Sequence, residues 1–273
     1  MPARRRDPIV DDFVYSKIHK KERRMTQEEA WYFRHNGFHR VARPLPRKLV
    51  ARLNAVTDEQ IATLAEPVVW ETGTTSRTPQ DVRRLSKILA RNPVYLEAAT
   101  HPILLNALTG VLGDNIELLT NKHNHIMVRP PGSAPVPWHS GEELYEPTLI
   151  TALIYLEEST IDNGCVHLVP GSHLRPFTKP RRPKGDFRRS PLYRRSLPVP
   201  MPAGGVLLFN DCCFHGADVN RSNGSRRSMT LGYRAHDSHD VLKDDPEKIL
   251  VRGERAYTGH PHPFPNPKKG KNQ

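Results

Sequence analysis

The chain has 273 residues, with 41 lysines and arginines against 29 aspartates and glutamates, and a formal net charge of +12. A chain of this length can bury a complete hydrophobic core without disulfide or metal staples. Its three cysteines form no CxxC pair, which excludes a disulfide framework and favours a reducing compartment, so we expect a cytoplasmic protein.

The basic balance favours a polyanion or a phosphorylated small molecule as partner, although solubility alone explains scattered charge equally well. No run of residues approaches the roughly 20 apolar positions that cross a bilayer. We therefore expect no membrane partner.

The first part of the sequence predicts a charged arm followed by helices. Residues 1–24 are polar and dense in charge, and they form the predicted N-terminal arm. Thr26 and Glu29 make a capping-box pattern, which begins a helix that ends at Gly37. The pattern then predicts, in order, a strand at 38–41, a helix at 46–64, a polar loop at 66–80, and helices at 81–90 and 101–112.

Beyond residue 113 the sequence changes to short apolar or alternating runs separated by Pro, Gly and Asn. Such runs are typical of an antiparallel sandwich. A basic insertion at 175–197 interrupts them, and a loop this long in a compact domain is a lid, a binding loop or disorder. The predicted strands lie at 116–128, 149–157, 166–169, 206–209 and 228–233, giving one domain over 25–236 and a Pro- and Lys-rich tail over 237–273.

The segment Trp138-His-Ser-Gly, followed far downstream by His215 and Arg226, carries the chemistry. In a non-haem Fe(II) oxygenase, two histidines and one carboxylate bind one face of the metal. The usual first half of this site is His-x-Asp, and here the Asp position is Gly141. Because glycine offers no donor atom, the pattern predicts a vacant coordination position that could hold an anion such as chloride.

Three segments together resemble the phytanoyl-CoA dioxygenase family of Fe(II)- and 2-oxoglutarate-dependent oxygenases. They run from Val128 to Gly141, from Asp162 to His173 and from Pro202 to Arg226, in the family's order and spacing. The resemblance covers roughly residues 25–236. It implies a mainly β fold with flanking α-helices, namely a double-stranded β-helix, also called a jelly roll or cupin-like fold.

The resemblance also implies roles for individual residues. His139 and His215 would ligate Fe(II), and the distal carboxylate of 2-oxoglutarate would bind Arg226, whose planar guanidinium can grip a carboxylate bidentately. O2 is the remaining reactant. Thr151 and His123 could reach 2-oxoglutarate, but a buried strand threonine and a pocket-wall histidine explain them equally well; Asn121 shares the predicted strand face of His123.

Three explanations compete for Gly141. In the favoured one, the enzyme resembles the Fe(II)/2-oxoglutarate halogenases, chloride binds beside Ser140 and Gly141, and an unactivated carbon is chlorinated. In the second, Glu142 or Glu143 completes the metal site and the enzyme is a hydroxylase. This needs a local bulge, because Glu142 points to the other strand face and Glu143 starts one pleat too far away. In the third, the site is dead and the basic jelly roll binds a ligand such as nucleic acid without catalysis.

The expected substrate is a small phosphorylated molecule, because arginines crowd the insertion and the segment at 77–84. A purine nucleoside monophosphate is the first candidate, as in the halogenases that make chlorinated nucleoside antibiotics. A carrier-tethered amino acid is a weaker alternative, and no stable nucleic-acid partner is expected because no aromatic-interleaved basic strand is present. The predicted substrate contacts are Arg77, Arg194, Arg195 and Tyr145, with Arg83 and Arg84 nearby and Trp70, Tyr193 or Phe177 available for stacking.

Overall fold

The computed structural model describes residues 24–71, 75, 77–141, 149–174, 189, 191–236 and 248–254. Most of the predicted arm, most of the basic insertion and most of the predicted tail therefore lie outside the described residues. No helix within the described ranges combines the length and the apolar character that a membrane crossing requires.

Within the described ranges, four α-helices precede most of the sheet. Thr26 caps the first of them with the predicted capping box, and Gly37 ends it in the left-handed conformation. The other predicted helices at 46–64 and 101–112 are also confirmed, whereas α3 was not predicted. The helices are α1 (Gln27–Asn36), α2 (Arg47–Ala62), α3 (Pro93–Ala99) and α4 (Pro102–Leu112).

The described strands form two antiparallel sheets. The larger sheet has the order β1-β10-β7-β12-β5-β3-β2, with β4 paired to the far half of β12 and β13 paired to β4; the smaller has the order β6-β11-β8-β9. The strands are β1 (Phe38–Arg40), β2 (Val68–Trp70), β3 (Val82–Ser86), β4 (Ile116–Leu119), β5 (His125–Arg129), β6 (Val136–His139), β7 (Ile150–Tyr155), β8 (Val166–Leu168), β9 (Leu197–Val199), β10 (Val206–Asn210), β11 (His215–Ala217), β12 (Arg226–Ala235) and β13 (Ile249–Arg252).

Alternation along β7 shows how the layers are built. Ile150, Ala152 and Ile154 belong to the core between the large sheet and the helices. Leu153 and Tyr155 belong instead to a second core, between the two sheets. Successive strand residues point to opposite faces, so the sandwich interior receives every second residue of each strand. The predicted jelly roll with flanking helices is confirmed.

Three sequence predictions for the strands were wrong. Residues 81–90 contain β3 rather than a helix, because pairing with β2 and β5 overrides the helical spacing of Leu85 and Ile88. The loop at 66–80 contains β2. The strand predicted at 116–128 is two strands, since His123 has a positive φ of 62° and breaks the run. Asn121 and His123 therefore do not share a strand face.

The large sheet also contains a strand that lies beyond residue 236, where the sequence predicted the domain to end. Strand β13 pairs with β4, so the sheet extends to Arg252. Beside it, buried Glu117 accepts hydrogen bonds from His236 Nδ1 at 2.6 Å and Arg234 Nε at 3.1 Å. Burial would raise the pKa of Glu117, but these hydrogen bonds and the nearby Lys248 lower it below its usual value. This ionic cluster closes one end of the large sheet.

Candidate metal and cosubstrate site

The two predicted metal-binding histidines face each other in the small sheet. His139 ends β6, His215 begins β11, and the two residues are register partners with ring centroids 4.1 Å apart. In each ring Nδ1 lies 2.8 Å from the backbone oxygen two residues earlier, Pro137 for His139 and Cys213 for His215. Since each Nδ1–H donates to a carbonyl, Nε2 carries the lone pair, which is the arrangement a metal-binding imidazole needs.

Burial also keeps the second histidine neutral. It lowers the pKa of His215 to about 3, with a further contribution from the adjacent His139. The ring of Phe209 lies 4.8 Å from that of His215 and shields it from one side. A neutral imidazole is the form that ligates a metal, so the pair fits a cation between the two sheets.

A carboxylate that the sequence reasoning missed lies beside the histidines. Asp211, in the turn after β10, is buried, and its Oδ1 accepts hydrogen bonds from Thr151 Oγ1 and His123 Nε2, both at 3.0 Å. Burial alone would raise the pKa of Asp211, but the bond from His123 and the proximity of His123 and His215 lower it below its usual value. The only sequence signal was a buried-strand pattern that ends in an acid four residues before His215.

Asp211 fills the space that the sequence predicted to be open. An ideal Cβ built on Gly141 would overlap the Asp211 carboxylate, and it would lie 2.7 Å from the Asp211 backbone oxygen. Ser140 adjoins this position at the end of β6. Of the other residues proposed for this part of the site, Glu142, Glu143 and Tyr145 lie outside the described residues. In the described ranges no group of three His, Cys, Asp or Glu side chains is already arranged to hold a metal ion.

The predicted cosubstrate arginine has the surroundings of an anion site. Arg226 begins β12, is buried, and its Nε has no hydrogen-bond partner among the described residues. Burial lowers its pKa. Its register partner Arg129 is buried too, and burial together with Arg226 and Arg83 lowers the pKa of Arg129 to about 10. Two adjacent buried guanidinium groups place two positive charges close together, and an anion bound between the sheets would stabilise them.

Tyr155 is a further group at this position that sequence reasoning missed. It is the register partner of Ser228, two residues along β12 from Arg226, so both side chains face the sandwich interior. Its buried hydroxyl has no partner among the described residues. Burial raises its pKa, so the hydroxyl is protonated and can donate to a carboxylate. Arg226 and Tyr155 therefore fit the distal carboxylate of 2-oxoglutarate.

Thr151 and His123 belong to the other end of the site. Thr151 pairs with Gly232, six residues along β12 from Arg226, a separation of about 20 Å at about 3.4 Å per residue. The side chains of Thr151 and His123 are both hydrogen-bonded to Asp211, and Thr151 Oγ1 lies 3.1 Å from His123 Nε2. They are placed to orient the carboxylate of Asp211, while their predicted contact with 2-oxoglutarate stays a prediction. Asn121 is exposed in the preceding turn.

The predicted substrate arginines are not gathered at one place. Arg77 is exposed, with its guanidinium carbon 5.8 Å from the centre of the Trp70 ring. Arg194 and Arg195 are exposed and follow Tyr193, whose ring packs edge-on against Trp138 at 5.5 Å. Because Trp138 and His139 point to opposite faces of β6, this end of the insertion packs on the outer face of the small sheet.

Arg84 is the arginine of this region that faces the interior. It pairs with Met127 on β5, one residue from Leu85, whose side chain packs on the helical side. Its buried Nε has no hydrogen-bond partner among the described residues. It lies close enough to His125 to help burial lower the pKa of that histidine to about 3. The neighbouring Arg83 is bound instead to Glu71 and to Ser133.

Comparison with known proteins agrees with this geometry. The family model described as phytanoyl-CoA dioxygenase (PhyH) matches residues 33–228. The chain is 31% identical over 193 residues to the probable alpha-ketoglutarate-dependent hypophosphite dioxygenase of Stutzerimonas stutzeri, a match that covers 62% of this chain and 66% of that protein, just under two thirds of its length.

Two solved structures share the fold. EctD from S. alaskensis with bound Fe superposes with a TM-score of 0.66 and 22% identity over 83% of this chain and 82% of that one. The epimerase SnoN from nogalamycin biosynthesis gives a TM-score of 0.64 and 20% identity over 84% and 96% of the two chains. With the family match over most of its length, the chain belongs to the phytanoyl-CoA dioxygenase (PhyH) family of non-haem iron, 2-oxoglutarate-dependent oxygenases.

Proposed function

We propose that this chain hydroxylates an aliphatic C–H carbon of a small anionic substrate, using Fe(II), 2-oxoglutarate and O2. The single observation that supports this best is the buried Arg226 guanidinium, whose Nε has no hydrogen-bond partner among the described residues and which faces the interior that also receives His139 and His215. A guanidinium in that position needs a carboxylate, and 2-oxoglutarate supplies one.

Bound iron with 2-oxoglutarate and O2 supplies an oxidant able to attack an unactivated C–H bond. In the net reaction one oxygen atom enters the substrate as a hydroxyl group, the other enters succinate, and CO2 leaves. The protein's own residues bind and orient the reactants. His139 and His215 would hold the metal through Nε2, while Arg226 and Tyr155 would fix the distal carboxylate of 2-oxoglutarate.

Arg84 supports an anionic substrate. Its guanidinium lies on the interior face of β3, beside His125 and Met127, and its Nε is buried without a partner among the described residues. A phosphate or carboxylate there would make charge-assisted hydrogen bonds. The curated relative named above is named for hypophosphite, which is itself a small oxyanion. We therefore extend the substrate hypothesis from Arg77, Arg194 and Arg195 to Arg84.

A purine nucleoside monophosphate is the substrate to test first, since it carries a phosphate for Arg84. The assay supplies Fe(II), 2-oxoglutarate and O2, and compares nucleotides, matching nucleosides, simple phosphorus oxyanions and carrier-bound amino acids. Succinate and product mass are measured together. We expect one anionic class to give a product one oxygen atom heavier, with stoichiometric succinate. Equal turnover of nucleotide and nucleoside would remove the phosphate from the argument.

Halogenation is the second candidate, and Gly141 is the observation in its favour, because it provides no ligand where the family pattern has an acid. The position of Asp211 weighs against chloride. Two unit negative charges about 4 Å apart repel by about 4 kcal/mol at an effective dielectric constant of about 20. The same assay with added chloride distinguishes the two reactions, since a chlorinated product would establish the halogenase and exclude hydroxylation as the main outcome.

A further inference from the structure

A side chain at position 141 and the carboxylate of Asp211 would occupy the same space. The Gly141 N–H donates to the Asp211 backbone oxygen at 2.6 Å, so the chain just past β6 is bound to the turn after β10. A side chain at 141 would start inside the Asp211 carboxylate. The family pattern places its third metal ligand on residue 141. In this chain a carboxylate occupies the same space, but it comes from the turn after β10.

The Asp211 carboxylate is held in a fixed orientation. Its backbone N–H donates to the Leu149 oxygen at 3.0 Å, and the turn is closed by Asn210, which accepts from the N–H groups of Cys212 and Cys213. Oδ1 is anchored by Thr151 and His123. Oδ2 accepts no such bond from the part of the chain that the structure describes, and it is the oxygen directed at Gly141. One oxygen is therefore fixed by the protein, and the other faces Gly141, two residues after His139.

We propose that Asp211 is the carboxylate ligand of the iron, replacing the acid that position 141 lacks. The inference rests on the proposed iron-dependent function, because it assigns the third member of the same metal site. Two imidazoles and one carboxylate complete the facial set that non-haem Fe(II) oxygenases use. The glycine at position 141 is then explained, because the absence of a side chain there leaves room for the Asp211 carboxylate. Thr151 and His123 become positioning residues that orient the ligand.

The decisive experiment measures metal binding by the full chain without turnover. Cobalt(II) is used in the experiment in place of iron, and its binding is followed by calorimetry and by its visible spectrum. It is titrated into the parent protein, Asp211→Asn, Asp211→Gly and the double variant Gly141→Asp with Asp211→Gly. Asp218→Asn is the matched control, since that carboxylate is bound to His167 on the outer face of the small sheet. Circular dichroism checks that each variant is folded.

We expect Asp211→Asn and Asp211→Gly to weaken cobalt binding by more than about a hundredfold, beyond the 10- to 100-fold that loss of an outer-shell partner costs. The double variant, which returns the acid to position 141, should recover the parent affinity to within about tenfold, and the control should not change. Chloride should alter the cobalt spectrum of Asp211→Gly only, because only that variant has an open position.

A loss of 100-fold or less in both single variants would overturn the assignment and make Asp211 an outer-shell residue. A chloride-dependent spectrum in the parent would overturn it as well. If the single variants cannot be folded, an unfolded or metal-free double variant counts against the proposal and a folded, metal-binding one supports it. Failure to find a hydroxylated product, with these binding results intact, would refute the proposed reaction but not the ligand assignment.

Discussion

Exchanging Arg226 for Met should separate cosubstrate binding from folding. The buried Nε of Arg226 has no hydrogen-bond partner among the described residues, so removing the guanidinium should not lower the free energy of unfolding of the ligand-free protein. With 2-oxoglutarate bound, losing one partner of a buried ion pair costs roughly 3–5 kcal/mol. At about 1.4 kcal/mol per factor of ten, the dissociation constant for 2-oxoglutarate should rise about a hundredfold to a few thousandfold.

The neighbouring Arg227 provides a matched control with the opposite behaviour. It points to the other face of β12 and binds Glu157 at 2.7 Å and Asp58 at 2.5 Å. Arg227→Met should cost about 1.5–3 kcal/mol of folding free energy, as for hydrogen bonds between charged groups, and leave 2-oxoglutarate affinity unchanged.

Thermal unfolding with and without 2-oxoglutarate is the assay. At a concentration about 100 times the parent dissociation constant, the ligand adds about 2.7 kcal/mol of stability to the parent. For a domain of this size that corresponds to a rise in Tm of about 5–11 °C. Arg226→Met should show a rise of about 2 °C or less, and Arg227→Met the full rise from a lower starting Tm. A full ligand-induced rise in Arg226→Met would refute the reasoning.

Three other variants test other parts of the structure. Arg84→Met should weaken an anionic substrate about ten- to a hundredfold, measured as KM, while leaving 2-oxoglutarate affinity unchanged; an unchanged KM would remove Arg84 from the substrate site. Glu117→Gln should cost roughly 3–5 kcal/mol of folding free energy at pH 7 in urea unfolding. The folded-state pKa of Glu117 is depressed, so its contribution to stability is present above the usual Glu pKa and is lost as pH falls through the folded pKa. The difference in free energy of unfolding between parent and variant should therefore disappear in acid, and a difference that persists below the folded pKa would contradict this. Gly141→Ala should lower the free energy of unfolding by about 1–3 kcal/mol and weaken metal binding, since the added Cβ overlaps the Asp211 carboxylate. Adding Asp211→Gly to this variant should relieve the loss of stability, whereas a Gly141→Ala variant as stable as the parent would show that this space is open.

Much of the fold was predictable because local signals agreed with tertiary structure. Thr26 and Gly37 bound α1 through capping chemistry that depends on neighbouring residues alone. The strand β3 was not predictable from its own pattern, because Leu85 and Ile88 have helical spacing and only pairing with β2 and β5 decides the outcome. The break at His123 was equally hidden, since an apolar run does not reveal a residue with positive φ.

For the site, motif order placed His139, His215 and Arg226, and the structure brings the two histidines together and buries the arginine. The sequence also marked Gly141 as the departure from the family pattern. It could not show what fills the space there, because Asp211 is 70 positions away in the sequence and comes close only through the contact between β6 and the turn after β10. At Gly141 the missing side chain leaves no empty space in the ligand-free fold, because the Asp211 carboxylate takes it up.

The most direct test is an anaerobic crystal structure of the chain with Fe(II), 2-oxoglutarate and chloride. We expect one iron ion bound by Nε2 of His139 and His215 and by an oxygen of Asp211, with the distal carboxylate of 2-oxoglutarate on Arg226 and no chloride on the metal. Chloride bound to iron beside Gly141, with Asp211 turned away, would contradict this description and establish the halogenase. Iron held elsewhere in the chain would contradict the site itself.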